Sequence, residues 1–375
     1  MKKIPFFAFL FLMGCTARNV DTNNLKMVVG TYTDTGSYGL YSYDFNEDTS
    51  TFDILDSCKL VNPSYLTISD NKDIIYSVSE LHDDNAAIVA LKFNSQNGSF
   101  EILNSQKTIG LDPCYVATNG KVVVTANYGG SMSVFPINED GRLGEMSQLF
   151  TGEIGGPDSI RQDTPHIHCT EFSVDQDHLF VSDFSADRLL VYRVEEDGSR
   201  IVPLVSDSTH QLAIELDPDY GPRHIVFDRS GKHAYVIGEL SGNISVLDVK
   251  GDIIKVKQVV KADSVQARGS ADIHISPDGK FLYASNRLEN DGIAIFRIDS
   301  ITGELFQIGY QLTGIHPRNF AITPNGKYLL CACRDTNEIQ IFEIDKSTGL
   351  LKNTGNKIAV QKPVCIKFID KEEKF

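Results

Sequence analysis

Four residues in the middle of the chain, His168, Arg223, Glu239 and Arg287, combine proton transfer with anion holding. A neutral imidazole or a carboxylate can take a proton near neutral pH, and a guanidinium can hold a carboxylate, a phosphate or a developing oxyanion. They lie far apart in sequence, and a repeat brings them into register. His168 and Arg223 each open the first strand of a strand–turn–strand unit, whereas Glu239 and Arg287 each close the second strand of such a unit.

The repeat is clearest in three stretches, 223–239, 271–287 and 318–334, which align without a gap and carry Ser-Gly-Lys, Asp-Gly-Lys and Asn-Gly-Lys at the turn. Each reads as a strand, a Gly-containing hairpin turn and a second strand. Looser copies start at Ser64, Cys114 and His168, and a truncated one starts at Val364, so consecutive starts are 50, 54, 55, 48, 47 and 46 residues apart. Alternating stretches such as Asn243–Val249 and Gly292–Ile298 supply a third strand, with a weaker fourth usually following. Four strands in roughly fifty residues are the signature of a β-propeller blade. The seventh copy, Val364–Phe368, has a first strand only, while residues 27–57 supply strands that lack one. Joining the two predicts an all-β, seven-bladed β-propeller of four-stranded blades, closed by N- and C-terminal strands sharing one blade, which leaves no free sheet edge at the seam.

In this fold the first strand of every blade starts at one mouth of the central channel and the second, antiparallel to it, ends there. Equivalent positions therefore form two rings. One is Ser64, Cys114, His168, Arg223, Ala271, Arg318 and Val364; the other is Glu80, Tyr128, Phe184, Glu239, Arg287, Arg334 and Tyr32. So many charged side chains converging on a narrow tunnel carry a desolvation cost that strand ends do not require for folding. Arg318, Arg334, Glu80 and Tyr128 are accordingly candidates for substrate binding. His166 and His224 join them, at positions beside ring residues that suit hydrogen-bonding support, and His274 is expected between blades. The ring position of Glu239 and Arg287 is Tyr128 or Phe184 in other blades, which predicts that the fold accepts uncharged side chains there.

A net charge of -15 provides no basic stripe to replace phosphate counterions and excludes a nucleic-acid partner. The first residues read as a targeting segment: Lys2 and Lys3, an apolar run from Pro5 to Met13 too short to span a bilayer, then Leu12-Met13-Gly14-Cys15. This resembles a bacterial lipobox, which implies a signal peptide over 1–15, lipidation of Cys15, a polar tether over 16–26 and one propeller domain over 27–375. The expected place is the bacterial cell envelope, on the periplasmic side or the surface, with the lipid anchor as the only membrane contact. The other cysteines, Cys58, Cys114, Cys169, Cys331, Cys333 and Cys365, have no disulfide-framework spacing and read as buried small hydrophobes. No Cys, His or Asp spacing matches a zinc or calcium loop, so neither metal nor cofactor is expected.

Seven stretches, Pro165–His168, Gly221–His224 with Gly238–Leu240, Ser276–Lys280 with Ala284–Arg287, His316–Phe320 and Ala126–Gly130, resemble the seven-bladed propeller lactonase family. That family contains propeller-type 6-phosphogluconolactonases and fungal carboxymuconate lactonizing enzymes, and the likeness covers essentially the whole chain after residue 26. The resemblance implies lactone chemistry without a metal, on a small-molecule lactone or sugar acid. It also places the family's His, Arg, Glu and Arg set on His168, Arg223, Glu239 and Arg287. Water would attack the lactone carbonyl with Glu239 or His168 as general base, while Arg223 and Arg287 hold the anionic group and the oxyanion. One departure stands out: the best-known bacterial substrate is a phosphorylated cytosolic sugar lactone, whereas this chain carries an export signal. A lactone-forming cycloisomerase and a non-catalytic envelope propeller that binds a sugar acid or a protein are the alternatives.

Overall fold

The computed structural model describes residues 24–205 and 211–369, so Cys15 and the proposed signal peptide lie outside the described residues. Its strands form seven sheets that follow one another around a ring, with no helix among the described residues beyond a single 3-10 turn at Phe184–Ala186. The first blade is built from Leu66–Ile68, Ile74–Ser79, Ala87–Phe93 and Phe100–Lys107, and the innermost strands of the next five are Pro113–Thr118, Ile167–Phe172, Pro222–Phe227, Ser270–Ile275 and Pro317–Ile322. The seventh blade takes its innermost strand, Pro363–Ile369, from the C-terminal end and the other three, Asn24–Thr31, Gly39–Asn46 and Phe52–Lys59, from the N-terminal end.

Burial explains why the strands read so differently in sequence. Second strands such as Ile74–Ser79 and Tyr328–Cys333 are buried at every position, covered by a neighbouring blade on both faces, and are near-continuous apolar runs. Outer strands such as Ile253–Lys261 only alternate between exposed and half-buried positions. In the three gapless copies the turn glycines Gly231, Gly279 and Gly326 all sit in the left-handed region, at φ 68°, 74° and 68°, where a Cβ is strained.

Two details differ from the sequence reading. The strand expected from residue 27 already includes Asn24 to Lys26, because Lys26 pairs with both Asp44 and Ile369 and its ammonium meets the Asp44 carboxylate at 2.7 Å. In the third blade the outer edge is shared by two short strands, Ile201–Pro203 and Ala213–Glu215, which pair with successive parts of Arg188–Val194.

In six blades the ladder between first and second strands slips by one residue at its mouth end, the signature of a β-bulge. Cys114, His168, Arg318 and Val364 are the extra residues; in the fourth and fifth blades the pairs Arg223/His224 and Ala271/Asp272 occupy the slip. A bulge re-aims side chains, so these six places are where the channel-lining ring departs from strict alternation.

Closure rests on the seam between Pro363–Ile369 and Asn24–Thr31. Ile366 is 1% exposed and packs with Met27, Val29 and Ile339. Ile366→Ala is expected to lower the unfolding free energy by about 2–5 kcal/mol, read by denaturant titration; an unchanged midpoint would show that the seam bears no load.

Candidate functional site

At the mouth, Glu239 is the centre of a charge cluster drawn from three blades. Its Oε2 accepts from Arg223 Nε at 2.9 Å and meets Arg287 Nη2 at 3.1 Å, with His168 Nε2 at 3.9 Å. The four residues named from the repeat alignment are thus brought together, and all are buried. Burial alone would raise the Glu239 pKa, but Arg287 and Arg223 overcome it and hold the carboxyl well below the usual range. Burial, only partly offset by Glu239, pushes Arg287 down to about 9, so it remains charged at neutral pH. Burial, reinforced by Arg223, takes His168 well below its ordinary value, which leaves a neutral imidazole with a lone pair to offer. Both candidate bases are therefore unprotonated at neutral pH; the Glu239 oxygens are engaged by the guanidiniums of Arg161, Arg223 and Arg287, whereas the His168 imidazole keeps a lone pair.

Cys114 Sγ lies 3.9 Å from His168 Nδ1, the kind of pairing that can generate a thiolate nucleophile. Here burial pushes the thiol pKa far up, so the sulfur stays protonated and inert.

The other side of the mouth holds a second group. Tyr32 donates its hydroxyl to Glu80 at 3.0 Å, and the Arg318 guanidinium lies over the Tyr32 ring, 5.4 Å from its centroid. Among the described residues Arg318 makes no hydrogen bond or ion pair, so its donors are unspent. Arg334 is turned to Asp335, at 2.9 and 2.8 Å, and that carboxylate also takes Lys362. Tyr128 stacks on His166 with ring centroids 4.0 Å apart. Both ring nitrogens of His224 are occupied, by Arg223 at 3.1 Å and Asp272 at 2.7 Å. His274 packs edge-on against Phe320, between the fifth and sixth blades as expected, and borders a cavity of about 250 Å³ in the far half of the channel.

Three participants escaped the sequence reading. Arg161 donates Nη2 to Glu239 Oε1 at 2.6 Å and lies over Phe184. It comes from the connection between Thr151 and Ile167, which is not part of the repeat, so no aligned position pointed to it. That connection is held by Gln162 on Asp187 at 2.6 Å, by Gly155 and Gly156 on the Ser185 carbonyl, and by Arg268, which bridges Asp158 and Asp219. With its side chain 36% exposed, Arg161 is the solvent-facing guanidinium of the cluster, against 2% and 6% for Arg223 and Arg287. His316 accepts from Arg287 Nη1 at 3.3 Å, and Asp272 lies behind His224. Both stand within two residues of a ring position, and only the packing of neighbouring blades places His316 against Arg287 and Asp272 against His224. Among the described residues no group of three or more His, Cys, Asp or Glu side chains is placed to hold a metal ion.

Seven blades around a channel, with an Arg–Glu–Arg cluster and a neutral histidine buried together where three of them meet, define a seven-bladed propeller with a charged cluster at one end of its inner strands. The family model described as "Lactonase, 7-bladed beta-propeller" matches residues 26–368, and the chain belongs to that family. A Formosa agariphila protein named 6-phosphogluconolactonase is 37% identical over 89% of this chain and 96% of its own length. The crystal structure of a candidate 6-phosphogluconolactonase from Bacteroides uniformis is 50% identical, with a TM-score of 0.89 over 92% of this chain and 100% of that one. A Pseudomonas aeruginosa structure named as a periplasmic gluconolactonase is 26% identical, with a TM-score of 0.87 over 92% of this chain and 99% of that one.

The sequence expectation that position 239 tolerates an uncharged side chain without loss of stability does not survive the geometry. Glu239 neutralises two buried guanidiniums, and removing one partner of a buried ion pair typically costs about 3–5 kcal/mol. Glu239→Gln is therefore expected to lower the melting temperature as well as any activity, measured by calorimetry; a wild-type melting temperature would show that the guanidiniums find other compensation.

Proposed function

We propose that the protein is a lactone hydrolase of the 6-phosphogluconolactonase type that opens an anionic sugar lactone at this mouth. The observation that carries the reading is a neutral His168 beside the Arg223–Glu239–Arg287 cluster, in a chain whose relatives are named for lactone hydrolysis. His168 takes a proton from water as it adds to the lactone carbonyl. The carbonyl oxygen becomes an oxyanion facing Arg287 and Arg161, and collapse breaks the ring C–O bond. The proton on His168 then passes to the departing ring oxygen, giving a hydroxy acid. Glu239, whose two oxygens are taken by Arg161, Arg223 and Arg287, keeps the guanidiniums apart and charged. Arg318, whose donors are unspent, takes the anionic group of the substrate.

A panel of sugar lactones, phosphorylated and not, followed by proton release against the spontaneous rate tests this. Turnover of at least one is expected, and none across the panel would leave only an anion-binding propeller. The pH profile tests the base. Because His168 acts unprotonated and its pKa is lowered, kcat/KM should stay level as pH falls from 8 through 6.5 and decline only below. An acid limb centred at 6.5 or higher would exclude His168.

We further infer that Cys15 is the lipidated first residue of the mature chain and that the protein resides in the cell envelope, as the name of the Pseudomonas neighbour supports. Asn24 and Ile369 lie at the end of the closing blade remote from Pro363 and the mouth. An anchor joined to Asn24 would therefore hold the rear face toward the bilayer and leave the mouth open. Cys15→Ser should move the protein from the membrane fraction to the soluble fraction; unchanged partitioning would refute the anchor.

A further inference from the structure

We propose that His224 and Asp272 are positioning residues that hold the Arg223 guanidinium in its working orientation, His224 by accepting from it and Asp272 by locking the imidazole tautomer that makes acceptance possible. The proposal rests on reading Arg223 as part of the lactone site.

Arg223 is 1% exposed, so its orientation is set by the protein acceptors around it. Nε takes Glu239, and Nη1 takes the Ala271 carbonyl at 2.5 Å and His224 Nε2 at 3.1 Å. A guanidinium has no lone pair to give, so His224 Nε2 must be the bare nitrogen and Nδ1 must carry the hydrogen. That Nδ1–H donates to Asp272 Oδ1 at 2.7 Å. Asp272 is in turn fixed from three sides: its Oδ2 accepts from His274 Nε2 at 2.9 Å, Asn319 Nδ2 at 2.5 Å and the Phe320 N–H at 3.2 Å. Asn319 Oδ1 accepts the Ile366 N–H at 2.8 Å, tying the chain to the closing strand.

The arrangement occurs twice. Arg287, the other buried guanidinium on Glu239, meets His316 Nε2 at 3.3 Å, and His316 Nδ1 faces Asp335 Oδ2 at 3.4 Å. Burial with the adjacent arginine lowers His224 to about 3 and His316 to about 2, so both rings stay neutral acceptors at neutral pH. An Arg–His–Asp chain behind each guanidinium directs one N–H away from Glu239 and so fixes the plane of the group.

Two substitutions separate the halves of the His224 contact. Asparagine places its amide nitrogen near Nδ1 and keeps the bond to Asp272, whereas glutamine places its amide oxygen near Nε2 and keeps the acceptor for Arg223. His224→Asn is expected to lower kcat on the best lactone roughly 10- to 100-fold, as small misplacements of a site group do, with KM changed far less. His224→Gln should lose distinctly less at a similar melting temperature. Equal losses in both, or none in His224→Asn, would overturn the proposal. Nitrogen NMR of labelled imidazoles gives a readout independent of turnover. At pH 7 wild-type His224 should appear as the Nδ1–H tautomer, and Asp272→Asn should disturb it; an Nε2–H tautomer or an imidazolium would overturn the proposal. If the wild type opens no lactone, the lactonase reading fails while the tautomer still decides the positioning role.

Discussion

The pairing of Pro363–Ile369 with Asn24–Thr31 is the constraint on which the rest depends. Each blade can bury its faces only against two neighbours, so the ring is stable as a closed object and not as an open stack. Closure also assembles the mouth. Tyr32 belongs to the closing blade, yet its hydroxyl reaches Glu80 in the first blade and its ring underlies Arg318 in the sixth. Without the seam these three would be the two ends and the beginning of an unclosed sheet array.

Burying a carboxylate among guanidiniums is costly unless every donor and acceptor is matched. The cluster meets that condition by layering. Glu239 balances Arg223 and Arg287 directly, and neutral His224 and His316 satisfy them from behind without adding positive charge. Asp272 then fixes the His224 imidazole at 2.7 Å, and Asp335 stands 3.4 Å from that of His316. Burial, with Arg223 beside it, lowers the pKa of His168 as well, so the imidazole next to the cluster stays neutral and adds no further positive charge to it.

The connection carrying Arg161 adds to the mouth a charged side chain from outside the repeat. Gly221, whose φ of 58° and contact with Leu240 and Phe184 leave no room for a Cβ, donates its N–H to Asp187. Asp187 also holds Gln162 of that connection. The strand bearing Arg223 and the segment bearing Arg161 are thus referred to one aspartate, which keeps a loop residue in register with a strand residue.

Periodicity and turn chemistry in the sequence determined the blade count, the closing strand and the two rings at the mouth, because the copies share one strand spacing and the three gapless ones share a left-handed turn glycine, whereas the turns of the first and third blades place Lys72 and Gln176 in that conformation. Alignment of those copies was enough to bring His168, Arg223, Glu239 and Arg287 together. What it could not supply was direction. The bulges turn His224 and Asp272 toward the neighbouring blade, Arg161 arrives from a segment outside the repeat, and Arg334 turns away to Asp335 while Arg318 keeps its donors free. The protonation states of Glu239 and His168 likewise belonged to the tertiary structure, since they depend on how deeply each group is buried and on the guanidiniums packed around it, and that is a property of three blades at once.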